Sequence, residues 1–139
     1  MFGLFKKKKT NNENLVIEIA SNLITTQLAF SHTSINDLIV DEFALGYIYG
    51  FHCTFLMILK ITDKNRWESI ILESYSAFIP NPSVAKQAFG MACNLVAAKH
   101  KKCVKGLNVA KDDSIKFMDE KITPMSLAKH LREESKLST

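Results

Sequence analysis

The chain has 139 residues, a length that fits one domain able to bury a core without disulfide staples. With 47% hydrophobic and 23% charged residues the composition is globular, which sets disorder aside; five glycines and three prolines leave long uninterrupted stretches that favour helices over a turn-rich β fold. The net charge of +4 resides in the run Lys6, Lys7, Lys8 and Lys9, since the other 14 basic residues balance the 14 acidic ones, and a chain-wide nucleic-acid footprint is not supported.

Residues 1–9 read as a basic N-terminal tail with an aromatic tip. Phe2, Leu4 and Phe5 stand before the lysines, the reverse of a secretory signal, where positive charge precedes the apolar stretch. Apolar residues beside a lysine block are the two ingredients of a membrane-surface anchor, which makes Phe2, Leu4, Phe5 and Lys6 to Lys9 candidate lipid contacts.

A single helical domain is expected over 10–135. Thr10 followed three residues later by Glu13 has capping-box spacing and opens a first helix over 11–31, with Leu15, Val16, Ile19, Leu23 and Phe30 at helical intervals. Ser34 and Asp37 repeat the spacing. Asp37, Asp41 and Glu42 early, with Lys60 late, complement the dipole of one long helix over 35–61. From Phe43 to Leu59 this segment runs 17 residues without a formal charge, as a central helix wrapped by others would. The same length lies at the lower edge of a membrane span, and Gly46 with Gly50 makes a GxxxG step.

Thr62, Asp63 and Asn65 are candidate caps for a third helix, whose apolar stripe includes Trp67, Ile70, Ile71, Tyr75 and Phe78 before Pro80 and Pro82 stop it. Asn81 then Pro82 is a cap and first-turn pair that predicts a fourth helix over 82–105, closed by Gly106. Its small residues, Ala88 and Ala92 among them, are the expected packing partners of Gly46 and Gly50. Residues 107–111 read as a loop, 112–122 as a short helix, 124–135 as a last helix opened by Thr123-Pro124, and 136–139 as a frayed end. The architecture expected is all-α, a bundle of five to six helices around a central apolar helix.

Cys53, Cys93 and Cys103 are an odd count without CxxC spacing, which points to small core hydrophobes in a reducing, cytoplasmic setting, at the inner face of a membrane if the tail engages lipid. His52, flanked by Tyr47 and Tyr49, marks the candidate ligand pocket, its alternative being a core histidine with a lowered pKa satisfied by a carbonyl or hydroxyl. No GxSxG, Walker loop, GxGxxG, HExxH or zinc spacing occurs, so no catalytic residue, metal or cofactor is assigned and an enzyme is disfavoured. The leading expectation is a protein–protein interaction module, self-associating or binding another protein. A membrane-associated chain using residues 2–9 and the helix at 43–59, and a small-ligand binder centred on His52, are the alternatives. Specific nucleic-acid recognition is not expected, because no aromatics interleave with the lysines.

Overall fold

A computed structural model describes residues 9–137. The elements in chain order are α1 (Asn11–Ser31), α2 (Ile35–Leu38), α3 (Glu42–Ile58), a 3-10 turn (Lys64–Arg66), α4 (Trp67–Tyr75), α5 (Pro82–Ala97), α6 (Lys101–Glu120) and α7 (Ser126–Leu137). The fold is all-α as expected, with seven α-helices among the described residues in place of five or six.

α3 is the centre. Twelve of its 17 residues are buried, and α1, α4, α5, α6 and α7 all pack on it. Four aromatics at intervals of four, Phe43, Tyr47, Phe51 and Phe55, stack along it at centroid separations of 6.2, 5.7 and 5.0 Å, and Phe117 of α6 meets the last edge-on. Offset and tilted aromatic pairs of this kind add about 0.5–1.5 kcal/mol each to the burial they accompany.

The predicted helix over 35–61 is two helices. Asp41 takes an extended conformation and its carboxylate accepts the Ala44 amide at 2.9 Å, so a residue with the spacing of an early helical acid is instead the cap of α3. The far end closes at Ile58, where Lys60 turns left-handed (φ 61°) and the Ile61 amide returns to the Leu56 carbonyl.

The predicted helix over 82–105 also breaks. Lys99 adopts φ 56°, its amide bonds to the Val96 carbonyl, and the His100 amide bonds to the Leu95 carbonyl at 2.8 Å, which is a Schellman closure with lysine where glycine is usual. The chain resumes at once as α6, so Gly106 is a helical residue, and residues 107–111, expected as a loop, lie in that same helix. The last helix begins at Ser126 rather than at Pro124, and it extends to Leu137, so 136–137 are helical.

Local caps follow the sequence. Thr10 and Glu13 form both halves of the capping box, at 3.1 and 2.9 Å, and the Asn81 side chain accepts the amides of Ser83 and Val84. The buried face of α1 does not follow it. Glu13, Val16, Ala20, Ile24, Gln27 and Ser31 point inward, whereas Leu15 and Phe30 are exposed. The polar members of that row can be buried because each has partners. Glu13 binds the Arg66 guanidinium through both carboxylate oxygens, a pairing that holds its carboxyl below the usual range.

Candidate functional site

Tyr47, Tyr49 and His52, adjacent in sequence, face three different neighbours. His52 is fully buried against α4. Its Nδ1 lies 2.7 Å from the Ile48 carbonyl and its Nε2 2.6 Å from Ser74 Oγ, with the Tyr75 ring edge-on at 5.2 Å. A carbonyl only accepts, so the proton sits on Nδ1, and the Ser74 hydroxyl donates to Nε2. Burial pushes this imidazole down to about 4, against a smaller opposing effect of the Ile48 carbonyl, and the ring is neutral at physiological pH. With both nitrogens committed, the ring has no remaining polar valence for a ligand or metal.

Tyr47 points between α1 and α6. Its hydroxyl donates to Asp113 Oδ2 at 2.7 Å and accepts from Gln27 Nε2 at 3.1 Å. Gln27, itself wholly buried, uses its Oε1 to accept the amides of Leu127 and Ala128 at 2.9 and 3.1 Å. One glutamine thus caps the start of α7 and orients a core tyrosine, joining α1, α3, α6 and α7. Burial, reinforced by Asp113, holds the Tyr47 phenol well above its ordinary value, so it stays a neutral donor.

Tyr49 faces α5, half-buried, with the Phe89 ring edge-on at 5.9 Å and the Cys53 and Cys93 thiols beside its hydroxyl. Burial raises all three groups, Cys53 to about 11. Protonated thiols are poor nucleophiles, so this trio is a packing cluster in chemical character.

Gly46 and Gly50 are packing positions, but their partner is α6. A side chain at Gly46 would run into the Cys103 carbonyl, and one at Gly50 would lie 2.9 Å from Leu107. From the other side, Gly106 sits against the Phe43 carbonyl. Gly46 meets Cys103 and Gly50 meets Leu107, each four residues further on, so α3 and α6 run parallel. Ala88 and Ala92, the expected partners, are buried on α5 at 2% and 0% exposure and stand elsewhere in the core.

Two carboxylate–histidine pairs sit at the start of α3. Asp41 receives His130 of α7 at 3.0 Å, with the His130 ring stacked on Phe43 at 4.2 Å, and Glu42 meets His100 at 2.5 Å. In sequence Asp41 and Glu42 present themselves only as dipole partners, and nothing local signals His100 or His130 as theirs. Among the described residues no group of three or more His, Cys, Asp or Glu is placed to hold a metal ion, and no helix is long and apolar enough to cross a membrane. α3, the one candidate span, has 17 residues and is enclosed by other helices.

Of the expected lipid contacts, Phe2, Leu4, Phe5, Lys6, Lys7 and Lys8 lie outside the described residues, and Lys9 is paired with Glu73 at 2.7 Å. Compared with known protein families, curated proteins and solved structures, the chain matches none.

Proposed function

We propose that the chain is a helical interaction module that pairs, through an apolar band, with a second copy of itself. The observation that carries this reading is a half-buried apolar stripe of α3 that ends at the exposed Met57. Tyr49, Cys53 and Met57 recur every four residues, with Met57 64% exposed, and Phe89 and Cys93 of α5 flank Tyr49 while Leu107 of α6 lies over Gly50. None of these side chains carries a charge at neutral pH, and three cysteines kept as thiols go with a reducing, cytoplasmic setting. A neutral band is recognised by apolar packing rather than by charge, and a twofold pairing presents the same band to itself.

What speaks for binding over chemistry at this surface is the state of the interior. The polar groups nearest the expected pocket, His52 and Tyr47, are spent on internal hydrogen bonds.

Size-exclusion chromatography with light scattering tests the reading. The expected result is a particle of twice 15.7 kDa that Met57→Glu converts to a monomer with unchanged helix content. A wild-type chain that stays monomeric at every concentration overturns it.

A further inference from the structure

Between Glu73 and Asp112 the chain carries six lysines and no carboxylate. This stretch folds into α5 and the first half of α6, and all six lysines are exposed. Four of them, Lys99, Lys101, Lys102 and Lys105, converge at the corner where α5 hands over to α6, and none of the four makes an ion pair among the described residues.

Lys99 follows the C-terminus of α5, where a cation is welcome. Lys101 and Lys102 occupy the first turn of α6, where the aligned peptide dipoles already present positive charge. That turn has no side-chain cap and no acidic residue. Because α3 runs parallel to α6, a second helix N-terminus lies at the same end. It is neutralised by its own acids: Asp41 is committed to the Ala44 amide and His130, and Glu42 to His100. The lysines of α6 make no ion pair among the described residues, although Asp41, Glu42 and Glu134 line the cleft that Lys102 and Lys105 share. Charges placed against the local helix dipole and left without an ion pair mark a surface kept for an external partner.

The corner is also apolar at its edge. Val40, 70% exposed and the most exposed large aliphatic side chain among the described residues, lines one cleft with Lys102 and Lys105, whose other wall carries Asp41, Glu42 and Glu134, and Ala97 and Ala98 are exposed at the turn itself. From Asn94 to Lys105 there is no Phe, Tyr or Trp on which a base could stack, and the one imidazole, His100, is held by Glu42. Exposed lysines around small aliphatic tips fit a sheet of anionic headgroups over a shallow hydrocarbon boundary.

We infer that the α5–α6 corner, through Lys99, Lys101, Lys102 and Lys105 with Val40, is a docking surface for an anionic lipid membrane. The assignment rests on residues other than those of the apolar band and stands whether or not the chain pairs with a copy of itself. The lysine block of residues 6–9 adds charge of the same sign from the tail, and surface binding that lasts generally takes two such signals.

The test is co-sedimentation of the full chain with phosphatidylcholine vesicles, with and without phosphatidylserine, beside the variant Lys101→Glu/Lys102→Glu/Lys105→Glu. Acids at 101 and 102 suit the first turn of α6, and circular dichroism checks that the variant folds, with Lys101→Gln/Lys102→Gln/Lys105→Gln as the second variant should the acids at the cleft with Asp41, Glu42 and Glu134 unfold it. Expected are binding to phosphatidylserine vesicles alone, release by high salt, and at least about a hundredfold lower partitioning for the variant, since each lysine lost from an anionic surface costs about fivefold and each acid gained adds repulsion. Absence of binding to phosphatidylserine vesicles overturns the inference. So does binding that the variant leaves intact while deletion of residues 2–8 abolishes it, or a preference for duplex DNA over the vesicles.

Discussion

Gly106 of α6 rests on the main-chain carbonyl of Phe43 in α3, at a separation that leaves no room for a Cβ. Main-chain atoms on both sides define this contact, so neither partner can yield by changing a rotamer. Gly106→Ala and Gly46→Ala are each expected to cost about 3 kcal/mol, the upper part of the usual overpacking range, read as a lower urea midpoint. Gly90, mid-way along α5, has nothing within 4 Å of where a Cβ would stand. Gly90→Ala is expected to stabilise by about 0.5–1 kcal/mol through helix propensity alone. Equal effects at the three glycines would remove the case for close approach of α3 and α6.

Lys99 closes α5 in the left-handed region at φ 56°, where a side chain costs about 1–2 kcal/mol that glycine does not incur. Lys99→Gly is therefore expected to stabilise the protein by about 1 kcal/mol, part of the gain being lost to the greater freedom of glycine in the unfolded chain. The check is a higher urea midpoint at constant slope. A lower midpoint would mean that the lysine side chain itself holds the corner.

What the sequence discloses here is what is settled within one turn. The Thr10–Glu13 box and the Asn81–Pro82 start are local patterns, and both stand where the spacing puts them. The breaks after Leu38 and Ala97 escape notice because neither uses glycine or proline. One is made by Asp41 capping from within a run of helical character, the other by a lysine in the left-handed region. The inner face of α1 is hidden for a different reason. Its polar residues are licensed by partners 53 to 101 positions away, Arg66 for Glu13 and the α7 amides for Gln27, and no periodicity reveals them. His52 is intermediate: its apolar surroundings announce a buried, depressed imidazole, but Ser74, which completes it, is 22 residues distant. Tyr47, Tyr49 and His52 look like one cluster in sequence only. At about 100° per residue they leave the helix in different directions, toward α1 and α6, α5 and α4 respectively.

The neutral His52 gives stability a pH dependence of known sign. The unfolded chain takes up a proton near pH 6.5, whereas the folded imidazole resists until about 4. Between those values the unfolded state binds more protons, so stability falls as pH drops, then levels off below the folded value. From about pH 7 to pH 5 the loss attributable to this residue is about 2 kcal/mol. Glu13, whose carboxyl is held below its ordinary 4.5, loses its contribution only at more acid pH, so the two windows separate. Urea unfolding of wild type and His52→Gln at both pH values is the measurement, the variant being less stable at neutral pH but flatter between them. Parallel pH profiles for the two proteins would show that His52 is not buried neutral.

Gln27 ties the start of α7 to the core. Its Oε1 takes two amides of that helix while its Nε2 supports the Tyr47 hydroxyl, all without exposure to water. Replacing it by leucine keeps the apolar bulk and leaves the Leu127 and Ala128 amides unpartnered in the interior, along with one lone pair of Tyr47. A buried donor left unmade costs about 1–3 kcal/mol, so Gln27→Leu is expected to lose about 3 kcal/mol in all. The loss should be felt first in α7, whose first-turn amides the glutamine holds. Hydrogen exchange followed by mass spectrometry is expected to show residues 126–134 losing protection well before α3 and α6, which grip each other through their glycines. Uniform deprotection of the whole chain would instead mean that α7 and the α3–α6 pair unfold as one unit and that the glutamine holds no separate latch.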